Sequence, residues 1–559
     1  MKIIDAESGA RRRCLLALGL LALLVFIAYQ PCLHGAFVWD DDRYPGSPLL
    51  SLAGAFWRIW VPGYTVQYYP MTFASFWLER RLWGLDPTGF HAVNLALHAV
   101  NAALAAVCLR RLGFRGAWLA AAIFAVHPVH AESVAWISER KNLLSAFFYL
   151  SAFCAFLEFE DNGSDAVYGA SLVLFLLALL SKTTAATLPA GLLAVRWGRG
   201  RALDGRFLKS LIPFFVLAAL VGTLTAAMER ANVGAVGAEF GLSLAQKILV
   251  SSRALFFHLG KLAWPGRLSF GYEHWTLDPG SLRQWAWPAA AAAAAGAAAW
   301  GARRNRALPA GLAFFAATLA PALGLFSVYT FRFSYVADHY QYLASLGPIA
   351  LAAEVLWRER RLRWLGAAVV LALMPPTRAR AALYSEPGGL WRDAVLHAPG
   401  SALAHCNYGV FLADRGRAAE AAGQFREAIR LKPDFEDAYA DLGAVQLRQG
   451  DEAGAAAGFR RALDLQPDHV RAHRAYGRLL LARGRSAEAA AHFLAVVRLR
   501  PGDAGAYVDL GAALGRLGRS SDAAACFREA LRLAPGDAAA AENLRLAEAT
   551  GRGKGKPQR

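Results

Sequence analysis

The C-terminal part of the chain repeats itself every 34 residues. Proline recurs at this interval, at Pro399, Pro433, Pro467, Pro501 and Pro535. Two glycine positions, an alanine position and a phenylalanine position keep the same spacing: Gly409, Gly443, Gly477 and Gly511; Gly416, Gly450, Gly484 and Gly518; Ala421, Ala455, Ala489 and Ala523; and Phe425, Phe459, Phe493 and Phe527. A fixed period of this length indicates an array of like units, so this segment does not form a single globular core.

Each repeat has the pattern of two packed helices. Small residues stand where the helices touch, an aromatic residue stands on the second helix, and proline follows at its exit. The pattern resembles the tetratricopeptide repeat (TPR) and implies an α-solenoid of about four repeats at residues 401–550. Trp391 lies one period before Phe425, so residues 381–400 are predicted to form a linker with a half repeat. Residues 551–559 are predicted to be a disordered basic tail.

The concave face of such a solenoid suits a protein partner. A helix pair cannot bury its own apolar face, so stacking supplies the core and leaves an open groove. We expect this groove to bind a peptide or protein, and a bare spacer is the alternative interpretation. Six scattered cysteines, with no CxxC pair, indicate neither a zinc site nor a disulfide framework.

Residues 1–380 have a different composition and predict a polytopic membrane domain. Three arginines precede an apolar segment from Cys14 to Tyr29, which is close to the ~20 residues that a bilayer core requires. Because a good cleavage site is lacking after it, we interpret it as a retained anchor whose N-terminus faces the cytoplasm. Further apolar runs centre near residues 101, 121, 150, 173, 190, 218, 292, 317, 350 and 368, which gives about eleven spans.

Arginine clusters between the apolar runs define a topology. Under the positive-inside rule, eleven spans place all four clusters in the cytoplasm: Arg110, Arg111 and Arg115; Arg196, Arg199, Arg201 and Arg206; Arg303, Arg304 and Arg306; and Arg358, Arg360, Arg361 and Arg363. A twelfth candidate, 244–264, carries four basic residues and is predicted to be an interfacial or cavity-lining helix. The loops 31–90, 127–141 and 327–342 and the repeat array then share the outer side.

The net charge of +18 does not indicate a nucleic-acid partner. A DNA or RNA binder concentrates its cations on a solvated groove or helix face. Here the excess lies in short runs between apolar stretches, where it acts as a topology signal. No nucleic acid is therefore expected as a partner.

The first external loop contains three adjacent carboxylates, Asp40, Asp41 and Asp42. Neighbouring carboxylates repel one another, so at least one is expected to titrate high or to meet a cation or an acceptor proton. This pattern is typical of a general base or a metal ligand. A solvated acidic turn that caps a helix is the alternative.

Two further segments place polar side chains in or beside the predicted spans. His91, Asn94, His98 and Asn101 are spaced by 3, 4 and 3, so they share one helical face. That face either lines a polar cavity or joins helices by hydrogen bonds. His127, His130 and Glu132 offer metal-ligating groups, but Pro128 prevents a regular i, i+4 pair of histidines, so metal dependence stays open.

Cations also lie in the outer loops, against the positive-inside trend. They are Arg140 and Lys141, Lys182 at a hairpin turn, and Arg332, which stands near Asp338 and His339. We interpret this set as contacts to an anion such as a lipid phosphate. Neutralisation of Glu132 and Glu139, or a snorkelling Lys182, is the alternative.

The combination of these motifs resembles the transmembrane and TPR-containing O-mannosyltransferase (TMTC) family and its bacterial relatives. The likeness rests on the acidic pair and on 67–72, 82–87, 91–101, 127–141, 181–183 and 337–347, followed by TPRs. It implies an all-α fold, in which a helix bundle of the GT-C glycosyltransferase type precedes the solenoid. It also implies transfer of a mannose-like sugar from a polyprenyl-phosphate carrier to a hydroxyl of an acceptor protein, outside the cytoplasm.

The resemblance also implies roles for individual residues. Asp40 or Asp41 would accept the proton of the acceptor hydroxyl, while Arg140, Lys182 and Arg332 would offset charge on the departing phosphate. The compartment would be a bacterial inner membrane, with the solenoid periplasmic or extracellular. Two rival functions keep the architecture: a membrane-anchored TPR scaffold for envelope proteins, and a transporter, against which the external position of the acids and bases argues.

Overall fold

The computed structural model describes residues 2–229, 241–325 and 329–553. The chain divides into two compact units, Met1–Ala398 and Pro399–Arg559. Across the described ranges the regular elements are helices, with no strand. The predicted all-α fold is therefore confirmed. The boundary between the units falls inside the segment 381–400, and residues 554–559 of the predicted tail lie outside the described residues.

The first unit contains sixteen α-helices within the described ranges. They are α1 (Lys2–Tyr29), α2 (Ala55–Ile59), α3 (Pro70–Trp83), α4 (Pro87–Arg111), α5 (Ala117–Val126), α6 (Ala131–Ala135), α7 (Arg140–Asn162), α8 (Asp165–Ser181), α9 (Leu188–Gly198), α10 (Gly205–Met228), α11 (Leu244–Ala263), α12 (Ala286–Gly301), α13 (Ala307–Leu319), α14 (Leu346–Arg358), α15 (Arg363–Leu383) and α16 (Pro387–His397).

Each of the eleven predicted apolar runs lies in a helix of this unit. Four helical segments are long and apolar enough to cross a membrane: Cys14–His34, Pro87–Arg111, Ile137–Asn162 and Gly205–Met228. Three shorter apolar segments are Ala117–Val126, Asp165–Ser181 and Ala307–Ala322. A ten-residue helix rises only about 15 Å, half of a bilayer core. The unit is thus a bundle with apolar spans, and the number eleven stays a prediction.

The external loops are built from short turns of helix between the long ones. α5 ends at Val126 because His127 precedes Pro128 and takes an extended backbone. The chain then forms a short 3-10 helix, the five-residue α6 and a second 3-10 turn before α7 begins at Arg140. These tight turns fold the segment 127–141 back into the bundle, so its polar side chains become buried.

The second unit consists of paired helices: α17 (Ala402–Asp414), α18 (Ala418–Leu431), α19 (Glu436–Arg448), α20 (Glu452–Leu465), α21 (Val470–Ala482), α22 (Ser486–Leu499), α23 (Ala504–Arg516), α24 (Ser520–Leu533) and α25 (Ala538–Gly553). The tight turn inside each pair uses a glycine with positive φ, at Gly416, Gly450, Gly484 and Gly518. The predicted TPR solenoid is confirmed.

Close helix contact explains the other glycine series. At Gly409 a Cβ atom would lie 2.7 Å from the Phe425 ring, and at Gly511 it would lie 2.6 Å from the Phe527 ring. Both rings are buried. A side chain at these glycines would push the two helices of a repeat apart, so the spacing of glycine and phenylalanine reflects packing.

Candidate functional site

The acidic loop begins with a strained residue that aromatic rings hold in place. Trp39 has a φ of 46°, in the left-handed region that bulky residues rarely occupy. Its indole stacks on Trp136 at 5.5 Å and meets Phe270 edge-on at 5.6 Å and Trp391 at 5.9 Å. This packing holds the start of the 3-10 helix Trp39–Asp42 in place.

Asp41 is the carboxylate that anchors this loop. It is 1% exposed and accepts hydrogen bonds from the backbone N–H of Val38 at 2.8 Å and of Ser138 at 2.8 Å. The Ser138 hydroxyl also donates to it. Burial raises the pKa of Asp41 to about 7, although the hydrogen bonds act in the opposite direction. Asp41 therefore ties the first external loop to the segment before α7.

Asp40 is partly exposed and interacts electrostatically with Lys141, Arg43 and Glu139. Among the described residues, no hydrogen-bond donor contacts its carboxylate. Burial raises its pKa, and the positive charges of Lys141 and Arg43 limit that rise. A carboxylate without a fixed donor, near cations, is available to accept a proton from a bound hydroxyl.

A buried carboxylate, Glu139, lies close to three basic side chains. Its Oε1 lies 3.0 Å from Lys141 Nζ and 3.9 Å from His339 Nε2, while Oε2 lies 3.2 Å from Lys182 Nζ. The Glu139 side chain is 1% exposed. Lys141, Lys182 and His339, which the sequence predicts as phosphate contacts, thus converge on one point. We call these four residues the Glu139 cluster.

Two hydrogen-bond networks surround the Glu139 cluster. Lys182 Nζ donates to Asn142 Oδ1 at 2.7 Å, and Asn142 Nδ2 donates to the His339 carbonyl at 3.0 Å. Glu132 accepts from His339 through both carboxylate oxygens, at 2.9 Å from Nδ1 and 3.1 Å from the backbone N–H. Asn142 is a site residue that sequence reasoning missed, because a single asparagine beside two cations gives no signal.

A second acid reaches the site from α10. Tyr44 donates to Gln67 Oε1 at 2.5 Å, and Gln67 Nε2 donates to Glu229 at 3.1 Å. The Lys141 ammonium lies 4.8 Å from the centre of the Tyr44 ring. Burial raises the pKa of Glu229, with the charges of Lys141 and Lys182 opposing this effect. Glu229 could not be recognised as a site residue from the sequence, because it directly follows an apolar helix and no motif surrounds it.

Arg140 lies apart from the Glu139 cluster. Its side chain is fully buried and forms an ion pair with Glu79 of α3. The remaining donors reach the Phe90 carbonyl at 2.8 Å and the Asn94 amide oxygen. A guanidinium enclosed by these acceptors has no open face for a phosphate, so its contacts favour a structural role instead of the predicted phosphate contact.

Most of the polar stripe on α4 serves to join helices. Asn94 donates to the Val134 carbonyl at 3.1 Å, and Asn101 donates to the Leu143 carbonyl at 2.9 Å. His98 bridges Tyr342 Oη at 2.7 Å and the Ala125 carbonyl at 3.1 Å. His91 differs, because neither of its buried ring nitrogens has a partner among the described residues. These contacts favour the helix-linking interpretation for three of the four residues.

The two loop histidines also bond to the backbone. His127 Nε2 lies 2.9 Å from the Leu262 carbonyl, and His130 bridges the Phe124 carbonyl at 2.8 Å and Ser345 Oγ at 2.9 Å. Of the predicted trio, only Glu132 contacts the Glu139 cluster, through His339. In the described part of the chain, no group of three or more His, Cys, Asp or Glu side chains is arranged to hold a metal ion.

Asp338 lies next to the cluster, and Arg332 packs against the ring of Phe333. Asp338 accepts a hydrogen bond from Tyr272 Oη at 2.8 Å, and burial with the nearby negative charge of Glu132 raises its pKa to about 7. Arg332 is half-buried, with its guanidinium carbon 5.6 Å from the centre of the Phe333 ring. Of the predicted phosphate contacts, the structure therefore brings Lys141, Lys182 and His339 together.

Three family models for the tetratricopeptide repeat match the C-terminal unit. Two described as "Tetratricopeptide repeat" cover residues 440–504 and 504–537, and one described as "TPR repeat" covers residues 411–450. Similar solved structures include YrrB, "a TPR protein with an unusual peptide-binding site", at 22% identity, covering 28% of this chain and 82% of that chain with a TM-score of 0.25. MamA from Desulfovibrio magneticus RS-1 is 23% identical, and the match covers 28% of this chain and 97% of that chain with a TM-score of 0.24.

Curated relatives carry the name protein O-mannosyl-transferase. TMTC1 of Mus musculus is 34% identical over 178 residues, which cover 28% of this chain and 19% of the relative. Tmtc2 of Drosophila melanogaster is 36% identical over 211 residues, which cover 34% of this chain and 22% of the relative. TMTC1 of Homo sapiens is 33% identical over 178 residues, which cover 28% of this chain and 20% of the relative. The chain spans about a fifth of the length of these relatives. Over these segments the chain is similar to protein O-mannosyl-transferases of the TMTC type, and its C-terminal unit is similar to tetratricopeptide repeats.

Proposed function

We propose that this chain is a membrane glycosyltransferase that moves a mannose-like sugar from a polyprenyl-phosphate carrier to a hydroxyl of an acceptor protein. The activity for which its relatives are named, protein O-mannosyl transfer, supports the reaction class. The observation that carries the proposal is the position of Asp40, a carboxylate that no donor among the described residues contacts, within electrostatic reach of Lys141, which binds Glu139.

Asp40 acts as the general base in this proposal. The acceptor hydroxyl gives its proton to the carboxylate while its oxygen bonds to the anomeric carbon of the sugar. The bond from that carbon to the phosphate oxygen breaks, and its electron pair leaves with the phosphate. Asp41 positions the base, because its three hydrogen bonds fix the loop. The two adjacent carboxylates thus have different tasks.

Lys141 and Lys182 bind the phosphate of the donor. Negative charge grows on this group as the sugar leaves, and preorganised cations in a water-poor site stabilise such charge strongly. Both ammonium groups are about one-tenth exposed and already held by Glu139, so little reorganisation is needed when the donor enters. Arg332 and Asp338, at the edge of the site, are proposed to contact the donor from outside the cluster.

The groove of the TPR solenoid is proposed to bind the acceptor protein. Charge-based topology puts the solenoid and the Asp40 loop on the same outer side, which is the arrangement that such a role requires. We further propose a bacterial inner membrane, with the solenoid periplasmic or extracellular. A protein scaffold without catalysis is the alternative that the experiment below addresses.

Transfer of radiolabelled mannose from polyprenyl-phosphate mannose to a serine- and threonine-containing protein, by the full chain in lipid nanodiscs, tests the proposal. We expect Asp40→Asn to reduce transfer by at least about 100-fold, since general base catalysis contributes on that order. Asp42→Asn is the matched control, because Asp42 is exposed and lies two residues further on. Equal activity of the two variants would contradict the base assignment, and a wild-type chain that binds the protein without transfer would favour the scaffold.

A further inference from the structure

Glu132 fixes both the ring and the backbone of His339. Its Oε1 lies 2.9 Å from His339 Nδ1, and its Oε2 accepts the His339 backbone N–H at 3.1 Å. The Glu132 side chain is 4% exposed and that of His339 is 11% exposed. A carboxylate that binds one residue through two separate groups allows its imidazole little freedom to turn.

The second ring nitrogen of His339 faces the Glu139 cluster. Nε2 lies 3.9 Å from Glu139 Oε1, and the same carboxylate binds Lys141 and Lys182. Because Nδ1 donates to Glu132, it keeps its proton, and Nε2 is the nitrogen that gains or releases one. The exchangeable proton of His339 is therefore aimed at the place where the two ammonium groups meet.

None of the neighbouring groups described next competes with His339 for the role of proton donor to the phosphate. His258 approaches from α11 and is fully buried, and burial lowers its pKa to about 3, so it is neutral in the working range. Asp338 turns its carboxylate to Tyr272. The Trp136 ring packs against the imidazole at 6.1 Å. Lys141, Lys182, Glu132 and Glu139 supply the remaining charges.

We propose that His339, oriented by Glu132, donates a proton from Nε2 to the phosphate oxygen that leaves the anomeric carbon. This step rests on the proposed transfer from a polyprenyl-phosphate donor. The donor phosphodiester carries one negative charge, and the departing monoester would carry two without a proton. When the bond from carbon to phosphate oxygen breaks, that oxygen keeps the electron pair and takes the Nε2 proton. His339 becomes neutral, while Asp40 holds the proton of the acceptor.

Proton donation explains why the cluster contains Glu139 as well as cations. Lys141, Lys182 and Glu139 give a net charge of +1, and the pair of protonated His339 and Glu132 adds none, so the site matches the monoanionic phosphate before transfer. A site of higher positive charge would hold a dianionic product more tightly and slow its release. The imidazolium is already charged when the donor binds, and it gives up its proton as negative charge grows on the leaving oxygen, so the phosphate does not become a dianion.

The dependence of kcat on pH, measured with the full chain in nanodiscs between pH 5 and pH 9, tests the step. The wild type is expected to give a bell-shaped profile, in which an acidic limb reports the base and an alkaline limb reports His339. His339→Gln keeps a donor amide but no transferable proton, so we expect kcat to fall about 100-fold and the alkaline limb to disappear. Glu132→Gln should move that limb to lower pH, since the imidazolium loses the anion that accepts its Nδ1 proton.

His397→Gln is the control, because His397 pairs with Asp393 at 3.1 Å on the surface of α16 and should leave the profile unchanged. Unfolding temperatures of all variants show whether they fold. If His339→Gln is unstable, the pH profile of Glu132→Gln tests the step instead, and an alkaline limb at the wild-type position in that variant would overturn it. An alkaline limb that persists in His339→Gln belongs to another group, such as Lys182, and overturns this step alone. A wild-type chain without transfer activity overturns the proposed function and this step with it.

Discussion

Ser138 holds Asp41 through two donors at once, its backbone N–H at 2.8 Å and its hydroxyl, both bonded to the same carboxylate oxygen. The two residues are 97 positions apart in the chain. This contact joins the loop after α1 to the turn before α7, and it separates the roles of the adjacent acids. Asp41 is held by these hydrogen bonds, whereas no donor among the described residues contacts the carboxylate of Asp40, the proposed base.

The raised pKa of Asp41 predicts a pH-dependent stability. Burial raises this pKa from 3.8 to about 7, so between these values the folded state binds more protons than the unfolded state. The free energy of unfolding should therefore fall as pH rises from about 4 to about 7, and this contribution should level off above. Asp41→Asn should flatten that slope in thermal unfolding of the purified chain, while Asp42→Asn retains it. Parallel slopes in wild type and Asp41→Asn would show that another group is responsible.

Lys182 offers a test of phosphate binding that is independent of the base. Its ammonium bonds to Glu139 at 3.2 Å and to Asn142 at 2.7 Å. A hydrogen bond to a charged group contributes about 1.5–3 kcal/mol, so Lys182→Gln should lower kcat/KM for the polyprenyl-phosphate donor by about 10- to 100-fold. Lys209→Gln, an exposed lysine on α10, provides the control. Donor saturation curves that coincide for both variants would remove Lys182 from the phosphate site.

The solenoid could be predicted from the sequence because its contacts are local. Each helix packs on its neighbour within the same or the next repeat, so packing constraints reappear along the chain at a fixed interval. Gly409 and Phe425 illustrate this, since one close helix contact accounts for both positions. The acidic loop was also visible, because three adjacent carboxylates are informative by themselves.

The division of roles within the site could not be predicted, because it depends on pairs far apart in sequence. Arg140 and Lys141 are adjacent and look equivalent, yet one pairs with Glu79, 61 positions earlier, and the other with Glu139. Glu79 and Glu229 lie in segments whose pattern shows only helices. Tertiary packing determines which basic residue pairs with which acidic residue, and the spacing of residues along the chain does not show it.

The buried ion pair of Arg140 and Glu79 predicts a large effect on stability. The side chains are 0% and 6% exposed, so removal of one charge leaves the other buried without a partner. Arg140→Met should reduce the free energy of unfolding by about 3–5 kcal/mol. The double variant Arg140→Met/Glu79→Met should be more stable than the single one, because no charge is left unpaired. Exposed Arg115→Met is the control, and a single variant as stable as this control would contradict the structural role.

Two glycines in the solenoid predict opposite effects of the same substitution. At Gly477 a Cβ would lie 2.7 Å from the buried Phe493 ring, so Gly477→Ala forces the two helices of the repeat apart. At Gly423, an exposed position inside α18, no atom lies within 4 Å of the added Cβ.

We therefore expect Gly477→Ala to destabilise the solenoid by about 1–3 kcal/mol through overpacking. Gly423→Ala should stabilise it by about 0.5–1 kcal/mol, because alanine loses less backbone entropy in a helix. Limited proteolysis of the full chain, followed by mapping of cleavage sites in 399–559, measures both changes. Equal protection in the two variants would mean that Phe493 can move aside, and that the glycine series does not reflect close helix contact.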